Sequence, residues 1–226
     1  MMRSAGNTSA FSLSLISIIM GLYGFLQIAD TKLHESLHKG GHSQFLTNIS
    51  LGISMVVFCL GAVAHITKSS TLFTIKNKLH AVALTLESVV AGVYWPFWIF
   101  FFHTIADRGP PPPLSLDLIV HLMPVVSLTI DYWLFMPSWK ISNSSGFALC
   151  VVCTLAYYYW LEHALKLSHF PYPFLNVPTA QRFVTYASIM GVAFVNFVLQ
   201  KTLFNKFIGS ETGQVEVFQW HGKQSN

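Results

Sequence analysis

Charged residues are scarce in this chain of 226 residues. The 13 Lys and Arg and the 9 Asp and Glu make up 10% of it, while 53% of the residues are apolar. In a water-soluble domain about a quarter of the residues are usually charged. The charged residues of this chain are too few to cover the surface that a soluble domain of this length exposes to water. The composition therefore excludes a soluble domain and indicates a protein that crosses a membrane several times.

Cysteine and clustered positive charge are also in short supply. Three Cys residues are too few for a disulfide scaffold. The Lys and Arg residues occur singly or in twos, whereas a nucleic-acid-binding protein gathers them on one face. The sequence predicts no nucleic-acid partner.

The apolar residues fall into six long runs, at residues 11–29, 45–66, 79–104, 114–136, 146–165 and 183–200. A helix needs about 20 largely apolar residues to cross the hydrocarbon core. These spans must be helices, because lipid offers no partner to unpaired backbone groups. The predicted fold is all-α, a single membrane domain over residues 1–226 with six transmembrane helices.

The Lys and Arg residues outside the spans predict the orientation. Eight of them, Lys76 included, lie on the side that holds the amino terminus, and five lie on the other. Because cytosolic loops carry the excess of Lys and Arg, both termini are predicted to be cytosolic. The expected location is the endoplasmic reticulum or the plasma membrane.

Several polar residues of the spans are predicted to share one depth. Thr47 opens the second span, His121 is the eighth residue of the fourth, and His163 and His103 end the fifth and third. With a rise of about 1.5 Å per residue, all four lie near the non-cytosolic face. Intramembrane ionisable residues generally face the protein interior or a cavity.

Asp117 precedes His121 by four residues and so shares its helical face. A carboxylate there can hold the imidazole in one tautomer, which makes Thr47, His121 and Asp117 a candidate nucleophile, base and orienting acid. The competing interpretation is structural, since a membrane-helix Thr often bonds the carbonyl four residues back. Glu87 and Asp131, deeper in the spans, are interpreted as a buried polar pair or as neutral acids.

Two metal-based alternatives remain open from the residues alone. His34-Glu35-Ser36-Leu37-His38 is a literal H-E-x-x-H, the pattern of zinc proteases, but it falls in a short loop ended by two glycines. Haem ligation by pairs of His residues, His103 with His163 and His65 with His80, is a further alternative. The sequence contains no G-x-S-x-G elbow and no phosphate-binding glycine motif.

The ordered motifs resemble the androgen-induced and androgen-dependent transmembrane family, whose founding members hydrolyse fatty acid esters of hydroxy fatty acids. The resemblance covers nearly the whole chain and rests on a short set of segments: Phe45-Leu46-Thr47, Trp95–Phe102, His121 followed by Asp131, Trp160 with His163, and Tyr172-Pro173-Phe174-Leu175. Leu118 stands where the animal members have another His, and the connection before span four is shorter. These departures suggest a distant, fungal branch.

The resemblance implies a lipid ester hydrolase with Thr47 as nucleophile and His121 as general base. Asp117, Asn48 and His163 are supporting candidates, as orienting acid, oxyanion donor and ligand of a substrate carboxylate. The expected partners are a lipid ester substrate and membrane lipids, with no cofactor and no metal. The alternative function is that of a non-enzymatic lipid-binding or transport protein.

Overall fold

A computed structural model describes residues 3–101 and 113–209 of the chain, and they are helical with short connections. The helices are α1 Thr8–Asp30, α2 Leu46–Thr67, α3 Ser70–Phe100, α4 Leu114–His121, α5 Met123–Ile130, α6 Asn143–Tyr159 and α7 Thr179–Phe204. A π-helical turn extends each of the last three: Asp131–Phe135 follows α5, Trp160–Ala164 follows α6 and Asn205–Gly209 follows α7.

Five of these helices are long and apolar enough to cross a membrane, and the α4–α5 pair makes a sixth span if it is counted as one. The predicted all-α polytopic class is confirmed. Consecutive spans run in opposite directions. One end of the bundle therefore holds the start of α1 and the end of α7, and we call it the terminal end; the start of α2 and the end of α6 lie at the opposite end.

Helix α3 begins nine residues before the predicted span. Lys68 ends α2 in the left-handed region at φ 53°, and the Ser69 side chain then caps α3 by accepting from the Leu72 N–H. Lys76, predicted to lie in a loop, is instead a fully buried helix residue. Removing this buried lysine from the count leaves seven cations against five, which weakens the basis for the predicted orientation.

The fourth span is broken, where the sequence predicted one continuous helix. Helix α4 ends at His121 and α5 starts at Met123, with a bend of 41° between them. Pro124 lies in the first turn of α5. It has no N–H to donate to the carbonyl four residues earlier, so the helix cannot pass through it regularly.

The terminal half of the bundle contains a buried charged group that we call the ion-pair cluster: Lys76, His80 and Asp131. The Lys76 Nζ lies 2.7 Å from an Asp131 oxygen, and His80 Nε2 lies 3.4 Å from the same oxygen. Glu87 is not part of it and accepts a hydrogen bond of 2.8 Å from Ser54. The predicted pairing of Glu87 with Asp131 is therefore wrong. Asp131 pairs instead with Lys76, which was predicted to lie in a loop.

Four aromatic rings pack beside the ion-pair cluster, and we call them the aromatic stack: Phe197, Trp139, Tyr132 and Phe204. Their successive centroids are 5.5, 4.1 and 4.5 Å apart, and each pair of planes is within 26° of parallel. All four are buried. The aromatic stack thus covers one side of the ion-pair cluster.

Candidate active site

A cavity lies between α3, α6 and α7 and is capped by the first residues of α2 and the 172–175 segment. Together with its open mouth it holds about 1080 Å³. Its wall is overwhelmingly apolar, formed by valine, leucine, isoleucine, methionine and aromatic side chains. Hydroxyl groups line it chiefly at the opposite end of the bundle, where Thr47 and four tyrosines contribute to the wall.

Thr47 is buried in the first turn of α2 and lines this cavity. Interior threonines such as Thr85 and Thr129 donate their hydroxyl to the carbonyl four residues back, at 2.7 Å in both cases. Thr47 makes no such bond in the described structure, because the residue four before it precedes the helix. The structural interpretation of this threonine therefore does not apply.

Tyr172 is a polar neighbour of Thr47. Its hydroxyl accepts a hydrogen bond of 2.9 Å from the Leu46 N–H and lies within hydrogen-bonding reach of the Thr47 side chain. Burial raises the pKa of Tyr172 above its ordinary value, so the phenol is protonated at neutral pH. It can donate a hydrogen bond to a group beside Thr47.

Two further tyrosines complete this polar end of the cavity. The Tyr157 hydroxyl donates to the Gln44 carbonyl at 2.7 Å. The Tyr186 hydroxyl is buried and makes no hydrogen bond within the described residues. Both are close enough to Tyr172 to interact with it electrostatically. Of these two tyrosines, Tyr186 has a hydroxyl group that is available to donate to a bound molecule.

His121 ends α4 in an ordered polar arrangement. Its Nδ1 lies 3.5 Å from an oxygen of buried Asp117, as the four-residue spacing predicted. Its ring stacks on the Tyr94 ring with centroids 3.5 Å apart and planes 4° from parallel. The Tyr94 hydroxyl donates to Asp117 at 2.7 Å. The Tyr94 ring thus fixes the plane of the imidazole, while Nδ1 makes no hydrogen bond to Asp117 or to any other described residue.

The relation between Thr47 and His121 is indirect. Thr47 and Tyr94 line the cavity, whereas His121 is not part of its wall and contacts it through the Tyr94 ring. In the described structure no hydrogen bond joins the Thr47 hydroxyl to the imidazole. The two candidates are near the same end of the bundle, but they are not in contact.

The structure does not bring the other candidates to the cavity. The Asn48 amide donates to the His42 carbonyl at 2.7 Å, so one of its two N–H donors is already used. His163 is exposed and packs against Tyr158 and Tyr159. His103 lies outside the described residues. Cys150 and Cys153 are free thiols on the cavity wall.

The H-E-x-x-H segment forms a single 3₁₀ turn, Glu35–Leu37. His34 interacts with Ser36 at 3.0 Å, and His38 with the Leu33 carbonyl at 2.8 Å. Over residues 3–101 and 113–209, no three His, Cys, Asp or Glu side chains come together as metal ligands would. The two imidazoles of the motif are therefore engaged locally.

The tyrosines of the cavity were missed as functional candidates by sequence reasoning. Tyrosines near helix ends are common in membrane proteins, where they sit at the lipid–water interface. Tyr94, Tyr157 and Tyr186 therefore carried no distinguishing signal, and Tyr172 entered only as part of a family-like motif. Only the packing of separate segments brings Tyr157, Tyr172 and Tyr186 together.

The fold and the site define a class: an integral membrane protein whose helices enclose an apolar cavity with hydroxyl groups at one end. A family model described as FAR-17a/AIG1-like protein matches residues 9–205. The chain belongs to the FAR-17a/AIG1-like family. The resemblance drawn from the motifs is confirmed.

Two fungal relatives are similar along most of the chain. The UPF0641 membrane protein YHR140W of Saccharomyces cerevisiae is 27% identical over 217 residues, which cover 87% of this chain and 91% of that protein. The UPF0641 membrane protein PJ4664.05 of Schizosaccharomyces pombe is 32% identical over 157 residues, covering 67% and 70%. Both are named membrane proteins, in agreement with an integral membrane location. No solved structure matches.

Proposed function

We propose that this protein is an intramembrane lipid ester hydrolase in which Thr47 is the nucleophile and His121 the general base. The observation that carries the proposal is the position of Thr47. Its hydroxyl is free of the usual helix bond and lies at the polar end of a cavity whose remaining wall suits an acyl chain. Such a cavity aligns a hydrocarbon chain with its carbonyl beside the threonine.

The reaction has two steps. The Thr47 oxygen attacks the ester carbonyl while His121 takes the hydroxyl proton, and the alcohol leaves with a proton returned by the imidazole. Water then attacks the acyl-threonine ester, with His121 again accepting and returning the proton. Asp117 stabilises the imidazolium that forms in each step.

The negative charge that develops on the carbonyl oxygen requires donors. Tyr186 has a hydroxyl without a partner among the described residues, and Tyr172 has a protonated phenol beside Thr47. We assign these two tyrosines as the oxyanion donors. Asn48 is a weaker candidate because its amide already binds the His42 carbonyl.

The proposal requires His121 to come within proton-transfer distance of Thr47 when substrate is bound. Catalytic hydrogen bonds are often long or misaligned in a free enzyme and tighten in its substrate complex. The Tyr94 ring is the group whose movement would bring the imidazole to the cavity, since it contacts both. The family resemblance indicates fatty acid esters of hydroxy fatty acids as substrates.

The experiment is covalent labelling of the purified protein with a fluorophosphonate probe. Labelling is expected for the wild type, lost in Thr47→Ala and in His121→Ala, and retained in Thr154→Ala. Thr154 is the matched control because it lies on the same cavity wall. Labelling that persists unchanged in the first two variants would exclude this nucleophile and base.

A second candidate function is lipid binding or transport without catalysis. The missing contact between Thr47 and His121 favours it, because a cavity that only binds lipid needs no such contact. This function predicts retention of fatty acids by the purified protein, no labelling by the probe, and the same retention in Thr47→Ala.

A further inference from the structure

The cavity extends along three helices by nearly the same distance. Its wall runs from Tyr94 to Val82 on α3, from Tyr157 to Gly146 on α6 and from Tyr186 to Phe197 on α7. These intervals are eleven or twelve residues, so the cavity is about 16–18 Å deep at about 1.5 Å per residue. Its polar end is at Thr47, and its inner end is at Gly146 and Phe197.

Gly146 and Phe197 close the inner end by direct contact. A Cβ atom added at Gly146 would lie 2.3 Å from Cε1 of Phe197 and 2.7 Å from its Cδ1 and Cζ, far inside van der Waals distance. The ring therefore sits directly over the backbone of α6. A residue with any side chain at position 146 would push it away.

Phe197 has no room to retreat from the cavity. Its ring is 1% exposed and stacks on Trp139 with planes 8° from parallel. Trp139 in turn stacks on Tyr132 and lies against the His80 ring. The floor of the cavity is thus braced by Trp139, with Tyr132 and His80 behind it.

We propose that Phe197, seated on Gly146, sets the length of the acyl chain that the cavity accepts. The ligand is a single unbranched acyl chain with its carbonyl at Thr47 and its methyl end at Phe197; this deepens the proposed hydrolase function and rests on it. A depth of about 16 Å, at about 1.2 Å of advance per bond of an extended chain, holds roughly 13 bonds.

The test is the displacement of a bound fluorescent fatty acid by saturated fatty acids from octanoic to eicosanoic acid. In the wild type each added methylene should tighten binding about fourfold, equal to about 0.8 kcal/mol, up to a limit beyond which affinity stops rising. Phe197→Leu should move that limit up by about two carbons. Ala193→Leu, which fills the wall one turn above Phe197, should move it down by a similar amount.

Matched controls separate the floor from general packing effects. Phe204→Leu alters the same aromatic stack away from the cavity, and Ala187→Leu adds the same side chain to an exposed position of α7. Both should leave the limit unchanged. If the chain-length limit is unchanged in both Phe197→Leu and Ala193→Leu, the proposal is overturned. Should Phe197→Leu not fold, the Ala193→Leu result alone decides.

Hydrolysis of p-nitrophenyl esters of the same chain series separates this inference from the proposed function. Shifted binding limits without hydrolysis in any variant would leave the length limit standing and refute the hydrolase. Hydrolysis dependent on Thr47 with no shift in chain preference would refute the length limit and leave the hydrolase standing.

Discussion

The two halves of this membrane bundle differ in the polar groups that they bury. In the terminal half, Lys76 and Asp131 are fully enclosed and satisfy each other at 2.7 Å. In the other half, Thr47 and the tyrosines border an open cavity, and the Tyr186 hydroxyl has no partner in the described chain. The paired charges stabilise the closed region, whereas the Tyr186 hydroxyl beside the cavity is available to a ligand.

Lys76→Met should give the largest loss of stability. It leaves the Asp131 carboxylate buried without its partner, which typically costs about 3–5 kcal/mol. The measurement is chemical denaturation in detergent. The double variant Lys76→Met with Asp131→Leu should recover most of the loss, because it removes both charges. A single variant as stable as the wild type would show that the cluster contributes no paired charge.

Gly146→Ala should have the next largest effect. The new methyl group would overlap the Phe197 ring, and overpacking of this kind costs about 1–3 kcal/mol. Gly191→Ala is the control, since nothing lies within 4 Å of the added methyl there, and it should be neutral or stabilise α7 by up to about 1 kcal/mol. Equal effects of the two variants would contradict the close contact at position 146.

Tyr172→Phe should cost about 1 kcal/mol of stability, since the Leu46 N–H loses its acceptor. It should also slow fluorophosphonate labelling at Thr47, because the hydroxyl beside the nucleophile is gone. Tyr159→Phe removes the same group from an exposed position near the same end and should change neither quantity. Unaltered labelling in Tyr172→Phe would remove this tyrosine from the reaction.

His163→Ala should have the smallest effect. The side chain is exposed and contacts only Tyr158 and Tyr159 among the rings around it, so stability should change by less than about 0.5 kcal/mol. Labelling kinetics should match the wild type. Slower labelling in this variant would show that a residue outside the cavity contributes to the reaction, which would contradict a site confined to the cavity.

The membrane class and most helix positions could be predicted from the sequence, because runs of apolar residues have few alternatives in lipid. The burial of Lys76 could not, since it depends on Asp131, fifty-five residues away, to neutralise the ammonium group. The break at Pro124 was visible in the sequence, but proline also occurs inside membrane helices, as Pro96 does within α3.

The candidate site was predictable only in part. The spacing of Asp117 and His121 fixes their proximity because both lie on one helix, and the structure places them 3.5 Å apart. The relation of His121 to Thr47 depends on how α4 packs against α2 and α3, which no local pattern encodes. The Tyr94 ring beside the imidazole was not foreseen for the same reason.

The break in the fourth span divides it into two segments with different contacts. The segment after Pro124 is anchored by the bond of Asp131 to Lys76 and by the Arg3 guanidinium, which donates to the carbonyls of Trp133 and Met136. The segment before it carries Asp117 and His121. The 41° break therefore places the imidazole on a segment whose direction differs from that of the anchored one.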